Sequence, residues 1–136
     1  MKTLFFLLMM ACAKLVIAQE TATLTVTIEN ISNEKGEILL GMYTEETFLK
    51  AAPDYSKSVK IEGRTATVVL ENIPKGTYGI SCFHDENSNQ RMDFEANGMP
   101  KEEYGVSNNP MLYGPPQWND AKFEIDEENE EISIRF

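Results

Sequence analysis

The chain has 136 residues, with 12 Lys and Arg against 22 Asp and Glu, and a formal net charge of −10. That length suits one hydrophobic core that holds without disulfides, and a 42% hydrophobic content excludes global disorder. So acidic a surface repels phosphates and anionic lipids, which excludes nucleic acid as a partner.

The first element is an address. Met1-Lys2 gives a positive start, Leu4 to Ala13 is a nearly unbroken apolar run, and Val16-Ile17-Ala18 follows Lys14. This pattern is a secretory signal peptide, too short and wrongly flanked for a membrane span. The expected division is residues 1–18 as signal peptide and residues 19–136 as a single β-sandwich domain. The expected destination is the periplasm or the exterior, with no transmembrane segment in the mature chain. Cleavage removes Cys12 and leaves Cys82 alone, so no internal disulfide forms. Between Ile80 and Phe83, Cys82 reads as a small buried apolar residue.

The mature chain reads as strands. From Thr23 to Glu29, Leu24, Val26 and Ile28 alternate with threonines, the period of a half-buried strand. Asn33 to Gly36 is a turn signal, and Glu37 to Tyr43 returns with Ile38, Leu40 and Met42 inward. Together they predict a hairpin. Thr44 to Lys50 predicts a short helix, with Thr44 as N-cap and Pro53 beyond its end. Ser58–Glu62 and Thr65–Glu71 predict two strands around Gly63-Arg64. Asn72 to Tyr78 is a turn with Pro74 stopping the ladder and Gly76 available for positive φ, and it leads into a strand from Tyr78 to His84. Ala121–Ile125 and Glu131–Phe136 predict strands joined by the acidic turn Asp126–Glu130. The sum is an all-β fold. It is a transthyretin-like or immunoglobulin-like antiparallel sandwich of about seven strands, with one long polar loop.

That loop, from His84 to Pro116, is too long for a plain turn. Asp85, Asn87, Asn89 and Asp93 fall at its first, third, fifth and ninth places, counting from Asp85. Alternating carboxylate and amide oxygens in a tight turn suit a hard cation, so Ca²⁺ is the expected metal. Arg91 would contribute its backbone carbonyl, and Glu95 would replace the acid missing at Ala96. Gln90 stands where the sharp turn wants glycine. Affinity would be weak, on the order of 10⁻⁴–10⁻³ M. The competing reading is a solvated run of Asx-turns.

The run His84-Asp85-Glu86-Asn87-Ser88-Asn89, with Asp93, Gly98-Met99-Pro100-Lys101-Glu102 and Tyr104 to Asn109, resembles the signature of a bacterial family, the domain of unknown function 2141. Pro74 to Tyr78 and the Phe48 segment fit as well, and the resemblance spans about Thr21 to Phe136. It implies a small exported β-sandwich without an established activity. Family members usually carry glycine at the place of Gln90 and an aromatic residue at the place of Val106.

Other residues carry competing functions. His84, the sole histidine, shares a strand face with Tyr78, Ile80 and Cys82 and is expected to organise the following loop. Gly98, Pro100 and Gly105 are expected to set turns, and Ser107 and Asn108 to bond the loop backbone. Glu102 is either a further ligand or a partner of Arg91. The primary expectation is a non-enzymatic exported module that presents the loop to an unknown protein or glycan. One alternative is a carbohydrate- or peptide-binding protein using Tyr113 and Trp118. Another is a hydrolase pairing His84 with Ser107 or Cys82.

Overall fold

Apolar residues at every second position of Thr21–Glu29 build the first strand, β1, with Leu24, Val26 and Ile28 fully buried and the threonines between them facing outward. The chain is described here by a computed structural model covering residues 19–136. The expected signal peptide lies outside the described residues. The further strands are β2 (Glu37–Tyr43), β3 (Tyr55–Val59), β4 (Ala66–Pro74), β5 (Gly76–Asp85), β6 (Tyr104–Val106), β7 (Phe123–Ile125) and β8 (Asn129–Arg135). One turn of helix, α1 (Trp118–Ala121), precedes β7.

The strands form two sheets. One is ordered β4-β1-β8 and the other β3-β2-β5-β6, with β7 pairing to the start of β5. Their inner faces meet in one core. Leu24, Val26, Ile28, Val68 and Ile134 come from the first sheet, and Ile38, Leu40, Met42, Ile80 and Cys82 from the second. Each large aliphatic side chain buried there contributes roughly 1.5–3 kcal/mol. The all-β sandwich expected from the alternation is the fold observed, with eight strands among the described residues and with β1 and β8 paired parallel where a wholly antiparallel sandwich was expected.

Several expected connections differ. β1 and β2 do not form a hairpin. β1 pairs antiparallel with β4 and parallel with β8, while β2 pairs with β3 and β5. Residues 30–36 instead arch from one sheet to the other. Ile31 is buried in the arch, and its N–H donates to the Arg64 carbonyl. Turn residues allow either route, and only the burial of Ile31 selects the arch. Likewise β3 and β4 lie in different sheets; the two strands expected around Gly63-Arg64 meet only at the Glu62–Thr65 bridge, and the first of them runs over Tyr55–Val59 and not Ser58–Glu62. β7 and β8 also part company, one to each sheet.

The Thr44–Lys50 segment makes irregular turns and not a helix, because Leu49 takes φ +52°. The Thr44 N–H is capped by the Thr47 hydroxyl at 3.1 Å and by Asp54 at 3.1 Å. Gly76 does not carry the positive φ of its turn, which falls on Asn72 at +56°. Tyr78 does close that turn, its hydroxyl donating to the Pro74 carbonyl at 2.6 Å.

Candidate functional site

Strand β5 delivers His84 and Asp85 to the rim of the sandwich, both fully buried. His84 ends the inward row of β5, and its Nε2 bonds the Lys35 carbonyl at 2.6 Å. The carbonyl can only accept, so Nε2 carries the proton. The ring thus fixes the preceding 30–36 arch, not the following loop as expected. The loop is held by the His84 backbone, whose N–H donates to the Glu103 carbonyl at 2.8 Å. Nδ1 has no hydrogen-bond partner and faces Glu86 Oε1 at 3.7 Å and Glu103 Oε2 at 3.8 Å.

Asp85 opens the polar loop. Its carboxylate accepts the N–H groups of Asn89 at 3.2 Å and Gln90 at 2.8 Å. Asn87 and Asn89 make the expected Asx-turns, accepting from the N–H groups of Asn89 and Arg91. Their amides then converge on Asp93, Asn87 Nδ2 at 2.7 Å and Asn89 Nδ2 at 2.9 Å. These bonds hold the Asp93 carboxyl below the usual aspartate range, and the Arg91 charge adds to the effect. Asn87, Asn89 and Asp93 are thus joined by their side chains while Asp85 binds backbone N–H groups, and it is amide nitrogens, not oxygens, that point at the Asp93 carboxylate. The chain closes this turn with Ser88 at φ +54° and Gln90 at φ +63°, so the place where family members carry glycine is indeed a left-handed one.

Two expected partners differ. Glu95 is exposed and sits in the next turn, where its backbone bonds Met99 and Gly98. Glu102 is the acid that reaches the loop. It accepts the Glu86 N–H at 2.9 Å and the Asp93 N–H at 3.1 Å, and it does not pair with Arg91. Sequence spacing misses it because it returns from the far side of the loop. Among the described residues, no group of three or more His, Cys, Asp or Glu side chains is arranged to hold a metal ion.

The other loop-organising residues meet the expectation only in part: Gly98 sets a turn, but Gly105 lies within β6, and Ser107 and Asn108 bond β5 and the 120–122 segment, not the backbone of the loop itself. Gly98 takes φ +85°, and Pro100 forms a bridge with Phe94. A Cβ on Gly105 would lie 2.7 Å from Ile134, so only glycine lets β6 cross there. Ser107 accepts the Ile80 N–H at 3.0 Å and donates to the Ala121 carbonyl. Asn108 donates to the Asp120 and Lys122 carbonyls at 3.0 and 2.8 Å. Asn109 bonds Ser133 and Arg135, pairing the edge of β8 as a strand would.

The nucleophile candidates are committed to packing. Cys82 is fully buried, its thiol donates to the Gly105 carbonyl at 3.7 Å, and burial pushes its pKa up to about 12. Neither its thiol nor the Ser107 hydroxyl is hydrogen-bonded to His84, whose ring bonds Lys35.

The expected Tyr113–Trp118 patch is split. Trp118 packs edge-on against Phe48 at 5.8 Å, in a small second core with Val106, Ala121 and Leu112. Tyr113 is 90% exposed. It stands on the rim of a feature that sequence reasoning missed, a groove of about 960 Å³ on the outer face of the five-stranded sheet. Its floor is the outward register of β3, β2 and β5. There Leu39 pairs with Ser58 and Phe83, and Gly41 pairs with Ser56 and Ser81. One wall is the polar loop's far arm, with Met92, Phe94, Met99 and Pro100. The other holds Leu49, Leu112, Tyr113 and Pro115. Phe94 and Met99 are more than half exposed. The available signal was Gly and Ser at alternate positions of otherwise apolar strands, in Leu39-Leu40-Gly41-Met42 and Gly79-Ile80-Ser81.

The fold and site define a β-sandwich that carries an apolar groove beside a hydrogen-bonded Asp/Asn loop, and no helix among the described residues is long and apolar enough to cross a membrane. The family model described as an uncharacterized protein conserved in bacteria, DUF2141, matches residues 26–133, and the chain belongs to that family. No curated protein and no solved structure matches it.

Proposed function

We propose that this protein is an exported, non-enzymatic binding module whose ligand lies in the groove over the five-stranded sheet. One observation carries the reading: a continuous apolar groove of about 960 Å³, with Phe94, Met99 and Tyr113 exposed around it. Concave apolar sites of this size with a few polar groups are the usual form of a small-ligand site. Exposed aromatic and methionine side chains gathered on one surface are seldom left for solvent. The signal-peptide pattern of residues 1–18 supports export, and the structural bonds of Cys82 and Ser107 support a role without catalysis.

The test is uptake of environment-sensitive dyes, the uncharged Nile red and the anionic anilinonaphthalene sulfonate, by the mature chain and by a Ser81→Leu variant. Ser81 lies on the floor beside Val106 of the second core, so leucine adds volume on the groove side of the sheet and not in the main core between the sheets. Uptake of either dye by the native protein, weakened at least about tenfold in the variant, is the expected outcome. Equal uptake by both proteins would refute the reading.

The crowding of Asp85, Asn87, Asn89 and Asp93 supports a second property, weak Ca²⁺ binding that stiffens the groove wall. Binding would require the Asn87 and Asn89 amides, whose Nδ2 groups now donate to Asp93, to turn so that their oxygens join the two carboxylates and the Arg91 carbonyl. Glu102 is engaged by the Glu86 and Asp93 N–H groups, so it would shape the loop around the ion and not complete its shell. A melting temperature several degrees higher in about 5 mM Ca²⁺ than with chelator is the expected result, and identical melting removes the site.

A further inference from the structure

The end of β5 holds an atom that the fold itself does not account for. His84 is fully buried, and its Nδ1 is the one buried side-chain atom among the described residues without a hydrogen-bond partner. A polar atom buried unpaired costs free energy, and in a native protein it calls for a reason. Nε2 carries the ring proton to the Lys35 carbonyl at 2.6 Å, so Nδ1 presents a lone pair. It faces two carboxylates, Glu86 Oε1 at 3.7 Å and Glu103 Oε2 at 3.8 Å. These are acceptors as well, so the three groups cannot satisfy one another. A single cation would satisfy all three.

The supports around these groups are those of metal ligands. A ligating imidazole almost always donates its other N–H to a carbonyl or carboxylate, which fixes the ring and its tautomer. The Lys35 carbonyl does this for His84. Ligating carboxylates are hydrogen-bonded in turn. Glu86 Oε1 accepts from Asn33 Nδ2 at 3.1 Å, and Glu103 Oε2 accepts the Ser32 N–H at 3.2 Å. All three supports come from the 30–36 arch. The His84 N–H donates to the Glu103 carbonyl at 2.8 Å, which ties two of the ligands together through the backbone. The net charge of −10 draws cations to the chain.

Geometry and chemistry narrow the ion. Bonds of about 2.1 Å to Nδ1 and to each oxygen would subtend about 125–130° at the observed separations, roughly 20° wider than a tetrahedron. As they stand, the three groups are not a closed cage. Closure brings each oxygen about 0.4 Å nearer to Nδ1. The two glutamate side chains have room to move, being 44% and 38% exposed. An imidazole nitrogen in the set disfavours Ca²⁺, which takes oxygen ligands, and favours ions of the zinc class.

We propose that His84 Nδ1, Glu86 and Glu103 bind one divalent transition-metal ion of the Zn²⁺ type, which clamps both ends of the polar loop to the 30–36 arch. The probe is Zn²⁺ added to untagged protein carrying isotope-labelled histidine. His84 is the sole histidine, so the ring signals belong to it alone. At about 0.1 mM Zn²⁺ the Nδ1 resonance is expected to shift while Nε2 keeps its proton, and the melting temperature to rise several degrees above that with chelator. Glu86→Gln and Glu103→Gln keep an acceptor oxygen for Asn33 and Ser32 but remove the charge. Each is expected to weaken Zn²⁺ binding at least about tenfold, and Asp93→Asn in the neighbouring Asx-turns to leave it unchanged. An Nδ1 resonance indifferent to Zn²⁺ overturns the proposal, and that measurement needs only the native protein. Zn²⁺ affinity that both glutamine substitutions leave intact also overturns it, and loss in Asp93→Asn alone would place the ion in the Asx-turns instead. None of these outcomes bears on dye uptake by the groove, so the two readings fail separately.

Discussion

The two sheets turn very different outer faces to solvent. On the three-stranded sheet, register rows read Thr67–Thr27–Ser133 and Val69–Thr25–Glu131. These are hydroxyl, β-branched and charged residues, which solvate a strand surface while favouring its extended backbone. On the five-stranded sheet the rows read Ser58–Leu39–Phe83–Tyr104 and Ser56–Gly41–Ser81–Val106. Leucine and aromatic residues there flank small residues, and the Tyr43 ring and Pro53 pack over Gly41, about 3 Å from where a Cβ would stand. Solvation alone does not require that pattern. Gly41 lowers strand propensity, and Leu39 and Phe83 stay partly exposed at a cost in apolar hydration. The first face is a surface, and the second has the composition of a floor.

The largest expected effect separates floor from core along a single strand. Leu40 faces inward at 2% exposure, and its neighbour Leu39 faces the groove. Leu40→Ala is expected to cost about 3 kcal/mol, from lost transfer energy and the cavity left behind. Leu39→Ala is expected to cost about 1 kcal/mol or less, because that side chain lines space that is already open. Urea midpoints at unchanged slope measure both. If the two losses are equal, the outer face is packed like a core and its contrast with the other sheet disappears.

Strand existence was legible because period-two alternation follows from burial on one face, as in Leu24, Val26 and Ile28 of β1. The Tyr78 turn was legible from Pro74 and the tyrosine four residues on. Sheet membership was not. Asn33 to Gly36 carries the same turn chemistry whether the chain reverses within a sheet or crosses between sheets, and only the packing of Ile31 decides. The clustering of Asp85, Asn87, Asn89 and Asp93 was visible in spacing because Asx-turns are local. Glu102 and Lys35 were not, because they reach the site through long-range returns of the chain. Trp118 read as a binding residue since its cover, Phe48, lies far away in sequence. The groove is not legible in sequence because period-two alternation marks only the inward residues, and Gly41 and Ser81 stand between them without a pattern of their own.

An intermediate effect tests how the groove wall is held. Gln90 sits at φ +63°, where an L-residue costs roughly 1–2 kcal/mol and glycine does not. Glycine loses more backbone entropy on folding, which returns part of that gain. Gln90→Gly is therefore expected to stabilise by about 0.5–1 kcal/mol. The wall would then be strained in a way that the threonine-lined face is not. A destabilised variant would mean that the Gln90 side chain, which borders the groove, contributes more than its backbone costs.

The smallest expected effect is a pH dependence that belongs to the loop and not to the sheets. Asp93 is held below its ordinary value of 3.8, first by the Asn87 amide and then by Asn89. Asp54 is also lowered, first by the Thr47 hydroxyl and then by the Thr44 N–H. A lowered native pKa means that the unfolded chain binds more protons in the acid window. Each group thus contributes stability above the ordinary aspartate range, and that stability is lost as pH falls through the native value. Stability followed by urea midpoint from about pH 5 to about pH 2 should decline in the native protein and decline less steeply in Asp93→Asn. Asp54 stays in place in that variant, so part of the decline must persist. An unchanged slope would show that the Asn87 and Asn89 amides do not depend on the Asp93 charge. The groove wall would then owe its shape to Asp85 and Glu102, whose carboxylates bind backbone N–H groups directly.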